Sequence, residues 1–168
     1  MLQQLTINNY ALIETLEMAP SPALNLITGE TGAGKSIMLG ALGLLQGKRA
    51  DGKSLLNEDE KCSIEAVFSV EKLGLEKFFD EKDLDYDSEC ILRREIRPNG
   101  KSRGFVNDSP VTLDVLQLLG ARLLDIHSQH DNLLLGDQNY QTEVLDIFGD
   151  NKKLTEAYGK AYKQWCKD

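Results

Sequence analysis

Gly29-Glu30-Thr31-Gly32-Ala33-Gly34-Lys35-Ser36 sets the architecture of the chain around it. The stretch fits G-x-x-x-x-G-K-[ST], the pattern of a loop that wraps the phosphates of a nucleotide. Such a loop needs a strand before it and a helix after it, and both flanks carry those signals. Ala23-Leu24-Asn25-Leu26-Ile27-Thr28 is an apolar run of strand length. Ile37, Leu39, Leu42 and Leu45 recur at helical spacing through residues 36–46, and Gly47 marks a stop.

The residue types fit the chemistry. Gly29, Gly32 and Gly34 let backbone N–H groups approach phosphate oxygens with no Cβ in the way. Glu30, Thr31 and Ala33 complete the loop, and the following helix points its positive end at the same anion. Lys35 is placed to reach the β- and γ-phosphates of ATP, and the Ser36 hydroxyl to ligate Mg²⁺. The expected fold class is therefore α/β, a P-loop NTPase.

Length and composition are those of one globular domain, with 168 residues, 41% of them hydrophobic and 27% charged. No apolar run approaches the ~20 residues needed to cross a bilayer, and the N-terminus has no signal-peptide pattern. Cys62, Cys90 and Cys166 are far apart and odd in number, which predicts reduced thiols and a cytoplasmic setting. The net charge of −8 argues against a generic DNA binder. One segment runs against it: residues 93–107 hold 5 basic residues and 1 acidic one.

Taken in order, residues 2–9 and 11–18 alternate as two strands, with Asn8-Asn9-Tyr10 as the turn between them. Residues 61–70 alternate more cleanly: Cys62, Ile64, Ala66, Phe68 and Val70 share one face, which predicts a half-buried antiparallel strand. The acidic stretch 71–87 reads as a short helix followed by an exposed loop. Residues 91–97 and 102–106 form a hairpin about Pro98-Asn99-Gly100, since Asn-Gly is a strong hairpin signal. That hairpin carries Arg93, Arg94, Arg97, Lys101 and Arg103, readable either as a charge-blunted edge or as a phosphate-facing surface. Asn107-Asp108-Ser109-Pro110 reads as a turn, and Thr112 as the N-cap of a helix closed by Gly120. From Asn139 onward the pattern is helical, ending in Leu154, Ala157, Tyr158, Ala161, Tyr162 and Trp165 at coiled-coil-like spacing.

Hydrolysis at such a loop normally needs a strand-borne acid that holds Mg²⁺ or aligns water. Leu123-Leu124-Asp125 is the one candidate, and no Ser-Gly-rich signature sequence of ABC-type ATPases is present. His127 and His130 lack a third ligand at metal-site spacing. Two alternatives therefore stand beside an incomplete ATPase. One is a small P-loop kinase using Asp125; the other is an interaction module whose terminal helix self-associates and whose nucleotide is structural.

Four stretches together resemble the RecN family of bacterial SMC-like DNA double-strand-break repair ATPases. They are Leu2-Gln3-Gln4-Leu5-Thr6-Ile7-Asn8-Asn9-Tyr10-Ala11-Leu12-Ile13, the loop with its preceding Ile27-Thr28, Arg103-Gly104-Phe105-Val106-Asn107, and Leu124-Asp125-Ile126-His127-Ser128-Gln129-His130-Asp131. The resemblance implies the N-terminal lobe of an ABC-type head, with a mixed or antiparallel sheet around the P-loop helix. Residues 1–149 would form that lobe and 150–168 the start of a coiled coil. It further implies Gln129 as the Q-loop glutamine, contacting Mg²⁺ or the nucleophilic water, with Ser128 standing where a glycine is expected. Arg103 would contact DNA or nucleotide. The implied partners are the C-terminal lobe of the same protein, a second copy joined through heads and coiled coil, and DNA, in a nucleoid-associated cytoplasmic setting with no membrane contact.

Overall fold

The computed structural model describes residues 1–28, 34–50, 55–126 and 138–166. Packing divides the chain into two compact units, Met1–Ile126 and His127–Asp168. In the first, the alternating stretches pair into a six-stranded sheet. Its strands are β1 (Leu2–Tyr10), β2 (Ile13–Met18), β3 (Cys62–Ser69), β4 (Glu89–Ile96), β5 (Ser102–Val106) and β6 (Ser109–Val111). The order is β2-β1-β3-β4-β5-β6, antiparallel throughout.

β3 shows why one face is buried. Successive side chains leave a strand on opposite sides, and Cys62, Ile64, Ala66, Phe68 and Val70 are all fully buried. In register beside them lie Leu5 and Ile7 of β1 and Leu92 and Ile96 of β4. Two helices complete this core, α1 (Lys35–Leu45) through Ala41, Leu44 and Leu45, and α3 (Leu113–Leu123) through Leu116 and Leu119. A short α2 (Glu76–Glu81) adds Phe78 and Phe79, as the acidic stretch predicted.

Local signals held where they were self-contained. Thr112 accepts a hydrogen bond from the Val115 N–H at 3.5 Å and caps α3. Gly47, at φ +78°, ends the turn after α1, a conformation L side chains rarely adopt.

Four expectations are corrected. β1 runs through Tyr10, and the turn falls at Ala11 and Leu12. Asn9 is buried there: its side-chain amide donates to the Asn57 and Glu60 carbonyls at 2.9 and 3.0 Å and accepts from the Asn57 N–H at 2.7 Å. These bonds tie the hairpin to the 57–60 loop instead of making a turn. After the Asn107-Asp108 turn, Ser109–Val111 pairs with β5 as a strand. Gly120 lies inside α3, not at its end, because its missing side chain lets α3 close on α1. A Cβ there would stand 2.9 Å from Gln46 Cα and 3.0 Å from the Leu45 carbonyl oxygen. Finally, residues 23–28 form no strand and are exposed, Leu24 at 87% and Leu26 at 84%. An apolar run of this kind becomes a strand only when neighbours flank it, and the antiparallel sheet of the described residues leaves it none.

The Gly120 contact is testable. Gly120→Val should lower stability by about 1–3 kcal/mol through overpacking of the α1–α3 contact, measured by urea unfolding. Unchanged stability would mean that the helices do not approach so closely.

Burial also governs the thiols. It pushes Cys62 up to about 11 and Cys90 up to about 12 from the ordinary 9.0. The folded state therefore retains both thiol protons. The stability these groups contribute is complete below about pH 9 and is lost as pH rises toward 11–12. At pH 8 a thiol reagent should modify exposed Cys166 quickly, and Cys62 and Cys90 only on unfolding. Three equally fast thiols would contradict the buried placement.

The second unit contains α4 (Gln138–Phe148) and α5 (Lys152–Trp165). Asp146 organises their junction, accepting from Asn151 Nδ2 at 3.4 Å and Thr155 Oγ1 at 3.2 Å. Leu154, Tyr158, Tyr162 and Trp165 form an exposed stripe along α5, with the Tyr158 and Tyr162 rings stacked 6.0 Å apart.

Candidate nucleotide-binding site

The described part of the loop is its helical end. Gly34 is the N-cap of α1, with φ −120°, and makes no side-chain capping bond. The Gly34 carbonyl accepts the first intrahelical bond, from Met38 N–H at 3.0 Å. Lys35 and Ser36 open the helix and are exposed, and the first turn contains no acidic residue. The first N–H groups of a helix have no intrahelical acceptor. Here neither a capping side chain nor a first-turn carboxylate competes for them among the described residues. A phosphate fits that environment, with a cationic Lys35 and the Ser36 hydroxyl at the same end. Gly29, Glu30, Thr31, Gly32 and Ala33 lie outside the described residues, as do His127, Ser128, Gln129 and His130.

Asp125 does not have the setting of a hydrolytic acid. It is exposed in the irregular segment after α3, with no strand delivering it. That segment is joined to the P-loop helix all the same: Gln46 Nε2 donates to the Leu124 carbonyl at 2.7 Å. The contact escapes sequence reasoning because a glutamine at a helix C-cap carries no distinguishing pattern.

The basic hairpin does not act as one patch. β4 lies between β3 and β5, so it is no edge strand. Arg93 faces outward, with Nη2 at 3.0 Å from Asp108 Oδ1, Nη1 at 3.7 Å from Glu65 Oε2, and its guanidinium over the Phe105 ring at 4.7 Å. Arg94 faces the core and is fully buried. Its Nη2 donates to Ser102 Oγ at 2.8 Å, while Nε and Nη1 have no partner among the described residues. Burial lowers its pKa. The sequence held this signal: Cys90, Leu92, Arg94 and Ile96 fall on one face of an alternating strand. Arg103 is exposed and pairs in register with Glu95 on the outer face of the sheet. α1 packs on the other face, so the sheet stands between the Arg103 side chain and the P-loop helix.

Comparison with known proteins accords with this geometry. A family model described as AAA domain (AAA_23) matches residues 4–166. The chain belongs to the AAA domain family. This AAA domain is similar to the DNA repair protein RecN of Vibrio cholerae, 39% identical over 98% of the chain, and to that of Bacillus subtilis, 37% identical over 99%. In each case it spans about 30% of the relative's length. Among solved structures, one from work on ATP-driven dimerization and DNA-stimulated activation of SMC ATPases superposes with a TM-score of 0.58 at 18% identity. The match covers 91% of the AAA domain and 95% of that chain. The SMC head domain of Thermotoga maritima gives 0.53 at 19% identity, covering 70% and 41%. These structures establish the fold, that of an SMC head domain, as the resemblance implied. Among the described residues no helix is long and apolar enough to cross a membrane.

Proposed function

We propose that this chain is the ATP- and Mg²⁺-binding half of the head of a RecN-like ATPase acting in DNA double-strand-break repair. The observation that carries the proposal is the uncapped start of α1, with Lys35 and Ser36 exposed on it, in a chain that matches RecN proteins along nearly its whole length. Gly29 to Ser36 would hold the phosphates, with Lys35 countering their charge. The Ser36 hydroxyl and Gln129 would hold Mg²⁺, which when bound supplies electrophilic stabilisation of the phosphoryl group. The chain's own residues then bind and orient the nucleotide. Asp125, the acid the sequence offered for that role, lies on no strand, which supports a second lobe as the source of hydrolytic chemistry.

The exposed Leu24, Leu26 and Ile27 support the same conclusion. An apolar run of strand length next to the nucleotide loop is suited to pairing with strands of that second lobe. The α5 stripe would begin the coiled coil that joins two copies, and the assembled protein would engage DNA. The test is a calorimetric titration with ATP, with and without Mg²⁺, on the chain and on Ser36→Ala. Mg²⁺ should strengthen binding to the chain and lose most of that effect in Ser36→Ala. An equal Mg²⁺ effect in both would remove Ser36 from the metal site.

A further inference from the structure

Three contacts fasten the C-terminal turn of α1 to α3. Gly47 donates its N–H to the Leu44 carbonyl at 3.1 Å, and a Cβ on it would stand 3.0 Å from the Leu113 carbonyl oxygen and from Gln117 Cβ. Gly120 presses on the Gln46 backbone in the same way. The third contact is the hydrogen bond from Gln46 Nε2 to the Leu124 carbonyl at 2.7 Å. It alone reaches past the end of α3. Leu124 is the C-cap of that helix, in extended conformation, and its N–H donates to the Gly120 carbonyl at 2.9 Å. Carbonyls at a helix C-terminus have no intrahelical donor. Here one is taken by a side chain 78 positions away, on the helix that Lys35 and Ser36 open. Both backbone hydrogen-bonding groups of Leu124 are therefore held, one by α3 and one by α1. Two residues later, at Ile126, the first compact unit ends.

We infer that Gln46 is a positioning residue: its side chain latches residues 124–126 to α1, so that the end of α3 and the end of α1 open as one unit. The Gln46 backbone is fixed by its own helix, its N–H donating to the Leu42 carbonyl at 3.2 Å. Its side chain therefore carries the position of α1 to the Leu124 carbonyl. Helix ends fray, and they share an opening only with elements to which they are bonded. A ligand that binds only the closed form of α1 slows every opening that α1 must share, about 100-fold at 100 times its dissociation constant. ATP at Lys35 and Ser36 is such a ligand. The latch thus carries occupancy at the first turn of α1 to the point where the chain leaves the first unit. The inference rests on the ATP binding proposed above and assigns a residue that transmits it. Leu123 and Leu124 also pack against the core, and that packing does not depend on the Gln46 donor.

The test is amide hydrogen exchange, read by mass spectrometry on the 168-residue chain in peptides covering 37–46 and 121–126. It is run without nucleotide and with ATP and Mg²⁺ at saturation. Gln46→Met keeps the length of the side chain and removes the donor, and Gln46→Lys restores a donor. In the unaltered chain ATP should slow exchange in both peptides, by at least about threefold in 121–126. In Gln46→Met, exchange in 121–126 without ATP should rise about fivefold, the net worth of one hydrogen bond. ATP should no longer slow it there, although protection of 37–46 and the melting temperature are retained. Gln46→Lys should recover the behaviour of the unaltered chain in both peptides. The inference is overturned if ATP protects 121–126 as well in Gln46→Met as in the unaltered chain, or if Gln46→Lys loses as much as Gln46→Met. Protection of 37–46 alone in the unaltered chain overturns the inference and leaves ATP binding in place; protection of neither peptide overturns the proposed ATP binding as well.

Discussion

Replacing Lys35 with alanine should abolish measurable ATP binding. Lys35 lies in the first turn of α1 and is exposed, so its removal takes no side chain from the core. What it removes is charge-assisted contact with the β- and γ-phosphates, about 1.5–3 kcal/mol for each bond. Two such bonds give about 3–6 kcal/mol, a loss of affinity of more than about 100-fold. Calorimetric titration of Lys35→Ala against the unaltered chain, with melting temperature as the fold control, reads this directly. Unchanged affinity would sink the assignment of residues 29–36 as a phosphate loop.

Arg94→Met should make the protein more stable. Arg94 is fully buried, makes one hydrogen bond, to Ser102, and keeps two buried nitrogens without partners among the described residues. A buried donor without an acceptor costs about 1–3 kcal/mol, and exchange of buried charged groups for apolar ones of similar volume gains about 1–4 kcal/mol. Methionine is flexible enough to fill the space between Ile64, which pairs with Arg94 in register, and α3. Urea denaturation should show a higher midpoint with an unchanged m-value. A lower midpoint would mean that the guanidinium makes favourable interactions in the core.

Which parts of the molecule were legible beforehand follows from the range of the forces involved. The β3 alternation, the Asn99-Gly100 hairpin, the Thr112 cap and the Gly47 stop each depend on a few adjacent residues, and each stands where its pattern placed it. Residues 23–28 failed because a buried strand is defined by its neighbours, and the run itself does not contain them. Gly120 was misplaced because glycine at a helix end and glycine at a close helix crossing look alike in sequence. The distinction lies in Gln46 and Leu45, more than 70 positions away.

The candidate nucleotide site shows the same division. The proposal for Lys35 and Ser36 comes from a loop motif that is local, and their exposure at an uncapped helix start accords with it. Arg94 was grouped with its charged neighbours although its phase on β4 placed it with Leu92 and Ile96. Charge suggested a surface, and strand periodicity prevailed because the ladder to β3 and β5 fixes every second side chain inward. The absence of a strand beneath Asp125 in turn weakens the kinase alternative, which needs that acid presented at a strand end.

Mg²⁺-dependent ATP turnover by this chain alone, measured beside ATP binding and again after addition of the remaining portion of a full-length RecN relative, tests the central claim most directly. The half-head account predicts binding without appreciable turnover, and hydrolysis on addition of the missing portion. Robust turnover by the chain alone, lost in Lys35→Ala, would contradict it and place the hydrolytic acid within these 168 residues.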